Sequence, residues 1–313
     1  MSVATKNTKK TVRAGIHRVT ISNSDKLFWP KEKYTKSDLV NYYDEMSRFV
    51  LPYLKNRPLS LKRNPDGILS QGFYHKDAGE KAPSYVDVFK QKSDSSNKVI
   101  DYIVCNNKAT LLYVVNLGCI EMNPWNSTVK KPDNPDWMVI DIDPSEKNNF
   151  KQVVEVALKV KEVLDRAKVC CCCKTSGATG LHVYVPLKRA YETAEVKEFA
   201  RLIALLVQQE LPKTTTVERS INKRNGRIYI DFLQNSKGQT LASAYSVRPV
   251  PGACVSTPLE WDEVNEELDP KAFTINTVPE RVHEKGDLFE AVLGKGASIE
   301  KAIKLLNAED AGK

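Results

Sequence analysis

Apolar and polar positions along this chain fall into periodic blocks separated by stretches rich in Pro, Gly, Asp and Ser. In WMVIDID, residues 137–143, Met138, Ile140 and Ile142 share one face, which predicts a strand. Residues 150–169 place Val153, Val156, Ala157, Val160, Val163, Leu164 and Ala167 at helical spacing. Strands follow at 169–174 and, as HVYVPL, at 182–187. A second helix at 194–210 turns Phe199, Leu202, Ile203 and Leu206 inward, and RIYIDF at 227–232 alternates once more. The order is β-α-β-β-α-β, a split ferredoxin-like arrangement. It packs helices on one face of a mainly antiparallel sheet and leaves the other face open for chemistry.

Upstream, residues 1–15 carry no apolar period and read as a flexible basic tail. A helix is expected at 36–51, with Ser37 able to cap it and Leu39, Val40, Tyr43 and Met46 along one face. Residues 55–98 read as loops and short strands, followed by a strand at 99–105 and a helix at 109–117. An amphipathic helix at 298–308 is expected to pack back on the domain. No internal repeat or heptad pattern is visible. No apolar run approaches the roughly 20 residues that span a bilayer, and the N-terminus lacks the apolar core of a secretory signal. Both point to a cytoplasmic protein.

The chain has 313 residues, of which 41% are hydrophobic and 27% charged, as in ordinary globular enzymes. Its net charge of +8, from 47 basic and 39 acidic residues, suits a polyanionic partner. Four of the seven cysteines are consecutive, Cys170 to Cys173. Adjacent side chains on a strand point to opposite faces, and Cys105, Cys119 and Cys254 have no CxxC or Cys/His spacing. A small apolar strand in a reducing compartment accounts for them better than zinc or disulfides.

The chemistry concentrates in three places. Strand alternation puts Asp141 and Asp143 on one face, with Ile140 and Ile142 facing the core. Paired carboxylates repel unless a cation lies between them, and hard oxygen ligands suit Mg²⁺ or Mn²⁺. By itself the pattern more often describes a solvated D-x-D at a turn. Asp231 alternates with Ile230 and Phe232, so it points to the polar face of its own strand and can join the pair, giving three carboxylates for two ions. The third place is KTSGATGLHVYV, residues 174–185. Gly177 and Gly180 allow close backbone approach to a phosphate, free N–H groups could cradle an anion, Ser176 adds a hydroxyl, and His182 shares the polar face with Tyr184. A plain hairpin is the other reading of these glycines.

Taken together, DIDP (141–144), SGATGLHVYVP (176–186), DFLQN (231–235) and YSVRP (245–249) resemble the archaeo-eukaryotic primase superfamily. The chain most resembles the polymerase domain of bacterial DNA ligase D, which serves non-homologous end joining. SDKLFWP (24–30), GFYHK (72–76), GCIEMNPW (118–125) and STPLEW (256–261) extend the resemblance over residues 16 to 300.

That resemblance implies a primase-polymerase α/β (α+β) fold, with an RRM or ferredoxin-like catalytic sheet and an additional N-terminal α/β part. One catalytic domain would cover 16–300, with a DNA-binding part near 16–130, the sheet near 131–250 and a C-terminal part near 251–300. A C-terminal helix and tail would occupy 301–313. It implies metal ligands at Asp141, Asp143 and Asp231 and nucleotide contacts at Ser176, Gly177, Gly180, His182 and Arg248. DNA contacts would fall on Lys26 and Lys36, for a 5′-phosphate, and on Lys62, Phe73 and Tyr74. Without it, Phe73 and Tyr74 read as core. It further implies two Mn²⁺ or Mg²⁺ ions, NTP or dNTP substrates with ribonucleotides preferred, 5′-phosphorylated DNA gaps and ends as partner, cooperation with Ku and a ligase, no membrane, and a nucleoid-associated place in the cytoplasm. Asn123 stands where many relatives have His, and Thr179 where some have a basic residue. Fused ligase and nuclease domains do not fit within 313 residues, which leaves a stand-alone polymerase or an excised domain. Two other functions compete: a non-catalytic module that aligns DNA ends, and a primase that starts chains de novo.

Overall fold

The structure is a computed structural model and describes residues 8–80, 82–92 and 98–310. The chain forms two compact units: residues 1–125, 241–256 and 271–286 make one, and residues 126–240, 257–270 and 287–313 the other. Sequence reading expects three successive parts of one domain, whereas the chain returns to the first unit twice. Buried tyrosines account for the first return, because a buried hydroxyl needs a partner. Tyr42 donates to the carbonyl of Tyr245 at 2.9 Å, and Tyr43 donates to that of Ile120 at 2.7 Å while accepting from the Val247 amide at 3.0 Å. The Trp29 indole likewise donates to Val250 O at 2.8 Å.

Part of the expected tail is ordered. Lys9–Ala14 pairs with His17–Ser22 as an antiparallel hairpin whose Val19 and Ile21 are buried; residues 1–7 lie outside the described residues. The expected helix at 36–51 is two helices, Lys36–Glu45 and Ser47–Leu54, joined at Met46. Its cap is Thr35 rather than Ser37: Thr35 and Asp38 form a reciprocal capping box. Leu39, Val40, Tyr43 and Met46 are buried as their spacing predicts. A three-stranded sheet places Leu59–Arg63 between the edge strand Phe73–His75 and Cys119–Pro124.

The second unit is built on a six-stranded sheet. Its order is Thr215–Thr216, Ile228–Asp231, Trp137–Asp143, Leu181–Pro186, Cys172–Thr175 and Pro258–Leu259. Only the first pair is parallel. Helices Phe150–Arg166 and Thr193–Glu210 pack on one another and on these strands, burying Val153, Val156, Val160, Val163, Phe199 and Ile203. The first begins at an Asn149–Gln152 capping box. It ends sooner than the periodicity suggests, and Lys168 turns the chain at φ 54°. All seven cysteines are free; Cys171, Cys172 and Cys173 are buried, and burial pushes the Cys172 thiol up to about 12. The C-terminal helix Ile299–Asp310 docks through Tyr191, whose hydroxyl donates to Glu300 at 2.7 Å and accepts from the Ile299 amide at 3.1 Å. Among the described residues no helix is long and apolar enough to cross a membrane.

Candidate active site

Trp137–Asp143 is the inner strand that organises the site. On one side Asp141 lies directly opposite Asp231, and on the other directly opposite His182. Pairing register therefore assembles in one row what the sequence spreads over ninety residues. Asp143 is two residues along on the same face.

Each carboxylate has its own donors. Asp231 accepts from the Leu233 amide at 2.8 Å, the Gln234 side chain at 3.0 Å and the Tyr229 hydroxyl at 3.1 Å. Asp143 pairs with Arg224 at 3.0 Å, and the Arg224 guanidinium lies 4.0 Å over the Tyr229 ring. Asp141 Oδ1 is 3.4 Å from His182 Nε2. With their oxygens turned to these partners, no three His, Cys, Asp or Glu side chains among the described residues converge as a metal-ligand set. The charge balance nevertheless fits a cation. Burial first, and then the charge of Asp141, push the carboxyls of Asp143 and Asp231 above their ordinary range. The donors are hard oxygens of the type that hold Mg²⁺ or Mn²⁺.

The glycine loop differs from the open anion cradle that its composition suggests. The Ser176 hydroxyl accepts from the amides of Ala178 at 3.1 Å and Gly180 at 3.0 Å, so these two N–H groups close the loop on itself. Gly177 has φ 72°, and a Cβ on Gly180 would lie 2.3 Å from Ile142 O. Both glycines are thus needed to seat the loop against the Asp-bearing strand. His182 is held from behind: Lys174, fully buried and directly across the hairpin, places Nζ 2.8 Å from its Nδ1.

The remaining expected contacts belong to the first unit. Arg248 pairs with the buried Glu121 at 2.6 Å. Lys26, Lys36 and Arg63 line a cavity of about 290 Å³ together with Asn23 and Asn116. The Lys36 ammonium donates to Ser22 O at 2.8 Å, Asn116 O at 2.6 Å and Asn116 Oδ1 at 2.8 Å. Burial and the charges of Lys26 and Arg63 still lower its pKa to about 8. Lys26 itself pairs with Asp66. Phe73 and Tyr74 are exposed on their edge strand and are not core residues; Arg63 lies 5.2 Å over the Phe73 ring and Lys62 4.7 Å over that of Tyr74. Asn123 is buried and donates to Ser60 O at 3.1 Å.

Sequence reading missed Lys174, Arg224, Arg63 and Glu121. Lys174 was legible in principle, since pairing the strands around SGATG brings it opposite His182. Arg224 lies in an irregular segment with no periodic signal.

Residues 35–289 match the family described as LigD, primase-polymerase domain. The bifunctional non-homologous end joining protein LigD of Bacillus subtilis is 34% identical over 273 residues, covering 87% of this chain and 44% of that protein. The multifunctional LigD of Pseudomonas aeruginosa is 30% identical over 273 residues, 87% of this chain and 32% of its own. The chain thus spans less than half the length of these relatives. Among solved structures, the polymerase domain from Mycobacterium tuberculosis ligase D, in complex with DNA, superposes with a TM-score of 0.82 at 26% identity, covering 90% of this chain and 99% of that one. The matched region holds all three aspartates, the glycine loop, His182 and Arg248, and the chain belongs to the LigD primase-polymerase domain family.

Proposed function

We propose that this chain is a template-directed nucleotidyltransferase that extends 3′-hydroxyls at DNA gaps and double-strand breaks bearing a 5′-phosphate, in non-homologous end joining. The observation that carries this reading is the row formed by Asp231, Asp141 and His182 on three adjacent strands, with Asp143 beside it. Like-charged carboxylates set opposite one another destabilise a sheet, so a row of this kind suits a site that receives cationic charge. Asp141, Asp143 and Asp231 would hold two divalent ions, Mn²⁺ or Mg²⁺; when bound, these supply the charge that lowers the 3′-hydroxyl's pKa and offsets that on the leaving pyrophosphate.

The chain's own residues do the positioning. Tyr229, Gln234 and the Leu233 amide hold Asp231 in one orientation. His182 presents its imidazole at the carboxylate row, where it would meet a nucleoside triphosphate together with Ser176, Gly177 and Gly180. Arg248, in the first unit, offers a charged fork suited to phosphate oxygens. In the first unit, the cavity with Lys26 and Lys36 suits a 5′-phosphate, and the exposed Phe73 and Tyr74, flanked by cations, suit unpaired template bases. Ribonucleotide preference and cooperation with Ku and a ligase belong to the same reading and rest on the family.

The test is primer extension on a gapped duplex with or without a downstream 5′-phosphate, in Mn²⁺, with ribo- or deoxyribonucleotides. Extension by the wild-type chain, lost in Asp141→Ala, is the expected result. Tight phosphate-dependent binding without extension would replace this reading with a non-catalytic end-aligning module, and synthesis without any primer would point to a de novo primase.

A further inference from the structure

We infer that Lys174 is a positioning residue that fixes the tautomer of His182, so that the ring presents an N–H donor at Nε2 to the carboxylate row. The consequence for nucleotide binding rests on the function proposed above; the tautomer assignment does not.

Lys174 is fully buried and His182 nearly so, at 2% exposure. Their backbones are cross-strand partners, and Nζ lies 2.8 Å from Nδ1. The Lys174 ammonium also lies 5.4 Å over the Tyr184 ring, on the neighbouring position of the same face. A lysine ammonium has donors and no acceptor. With Lys174 carried as the ammonium, Nδ1 accepts with its lone pair, which leaves the ring proton on Nε2. The other side of the ring agrees independently. Nε2 faces Asp141 Oδ1 at 3.4 Å, and a carboxylate oxygen only accepts. The opposite tautomer would set a proton against an ammonium and a lone pair against a carboxylate. Both contacts would then be repulsive.

A donor at Nε2 is what an incoming phosphate oxygen requires, because a bare ring nitrogen there would repel it. A second group that orients a site histidine through its far nitrogen commonly sets both the tautomer and the ring angle. Lys174 does so from within the strand pair, with its side chain fully buried.

The test begins with the unmodified full chain, labelled with ¹⁵N at histidine. The protein has four histidines, so His182 is assigned by its loss in His182→Asn. Long-range ¹H–¹⁵N correlation is expected to show the proton on Nε2 and none on Nδ1. A proton on Nδ1, or rapid averaging of the two forms, overturns the inference without any lysine variant. In Lys174→Met the two forms should mix, and KM for the nucleotide should rise about ten-fold or more with a smaller change in kcat. Combined with His182→Ala, Lys174→Met should add nothing further, and losses that add in full would mean that Lys174 acts elsewhere. A wild-type chain that extends no primer would end the polymerase reading and leave the measured tautomer standing.

Discussion

Asp141 and Asp231 are direct cross-strand partners on adjacent antiparallel strands, two carboxylates facing the same side of one sheet. Burial and the charge of Asp141 hold the Asp231 carboxyl above its ordinary range. Asp141→Asn should relieve that repulsion while removing an essential oxygen. Extension should fall below detection, and stability should rise by about 0.2–1 kcal/mol, the usual size of a like-charge cross-strand term. Thermal melts beside primer extension check both, and a clear fall in the melting temperature would contradict the account.

Arg224 occupies one oxygen of Asp143 at 3.0 Å and stacks on Tyr229. Its guanidinium therefore competes with any divalent cation for that carboxylate. Half of the Asp143 side chain is exposed, so the pair contributes about 0.2–1 kcal/mol. Arg224→Ala should tighten Mn²⁺ binding to the DNA-free chain by about two- to five-fold. Titration calorimetry or Mn²⁺ electron paramagnetic resonance would read it, and weaker binding would reverse the argument.

Lys36 gives a pH dependence. Its native pKa of about 8 lies below the ordinary 10.5, so between these values the unfolded chain holds more of this proton. The contribution of Lys36 to stability therefore improves as pH rises from 8 to 10.5, and its full penalty is present below 8. Phosphate binding runs the other way, because it needs the ammonium. The affinity gained from a downstream 5′-phosphate should fall as pH rises from 7 to 9, by up to about ten-fold. Fluorescence anisotropy with phosphorylated and unphosphorylated gaps measures the difference, and Lys36→Met should abolish its pH dependence.

Gly180 seats the loop against the carbonyl of Ile142, between Asp141 and Asp143. A Cβ there would lie 2.3 Å from that oxygen, and the obstacle is backbone. Gly180→Ala should cost about 1–3 kcal/mol, the range for overpacking. It should also lower extension by displacing the Asp strand, while Gly238→Ala, which faces open space but is strained by its φ of 77°, should lose some stability and leave extension unchanged. Denaturant unfolding and extension rates check the pair.

By itself the sequence determined the β-α-β-β-α-β order, because a period of two or of 3.6 is written into each segment. It determined that Asp141 and Asp143 share a face, since alternation along one strand is local geometry. Motif order across the chain also carried the family. Tertiary structure decided the rest. Strand order and register placed Asp231 and His182 on either side of Asp141, and no local pattern specifies which strands become neighbours. Packing buried Lys174 behind His182, although lysine composition predicts a solvated side chain. It also exposed Phe73 and Tyr74, whose apolar character reads as core until the edge position of their strand is known. The Ser176 hydroxyl closed the glycine loop instead of leaving its amides open, because in a tight turn the nearest acceptor takes the N–H groups first. Arg224 reached Asp143 from an irregular segment eighty-one residues away, through a contact that only the folded chain creates.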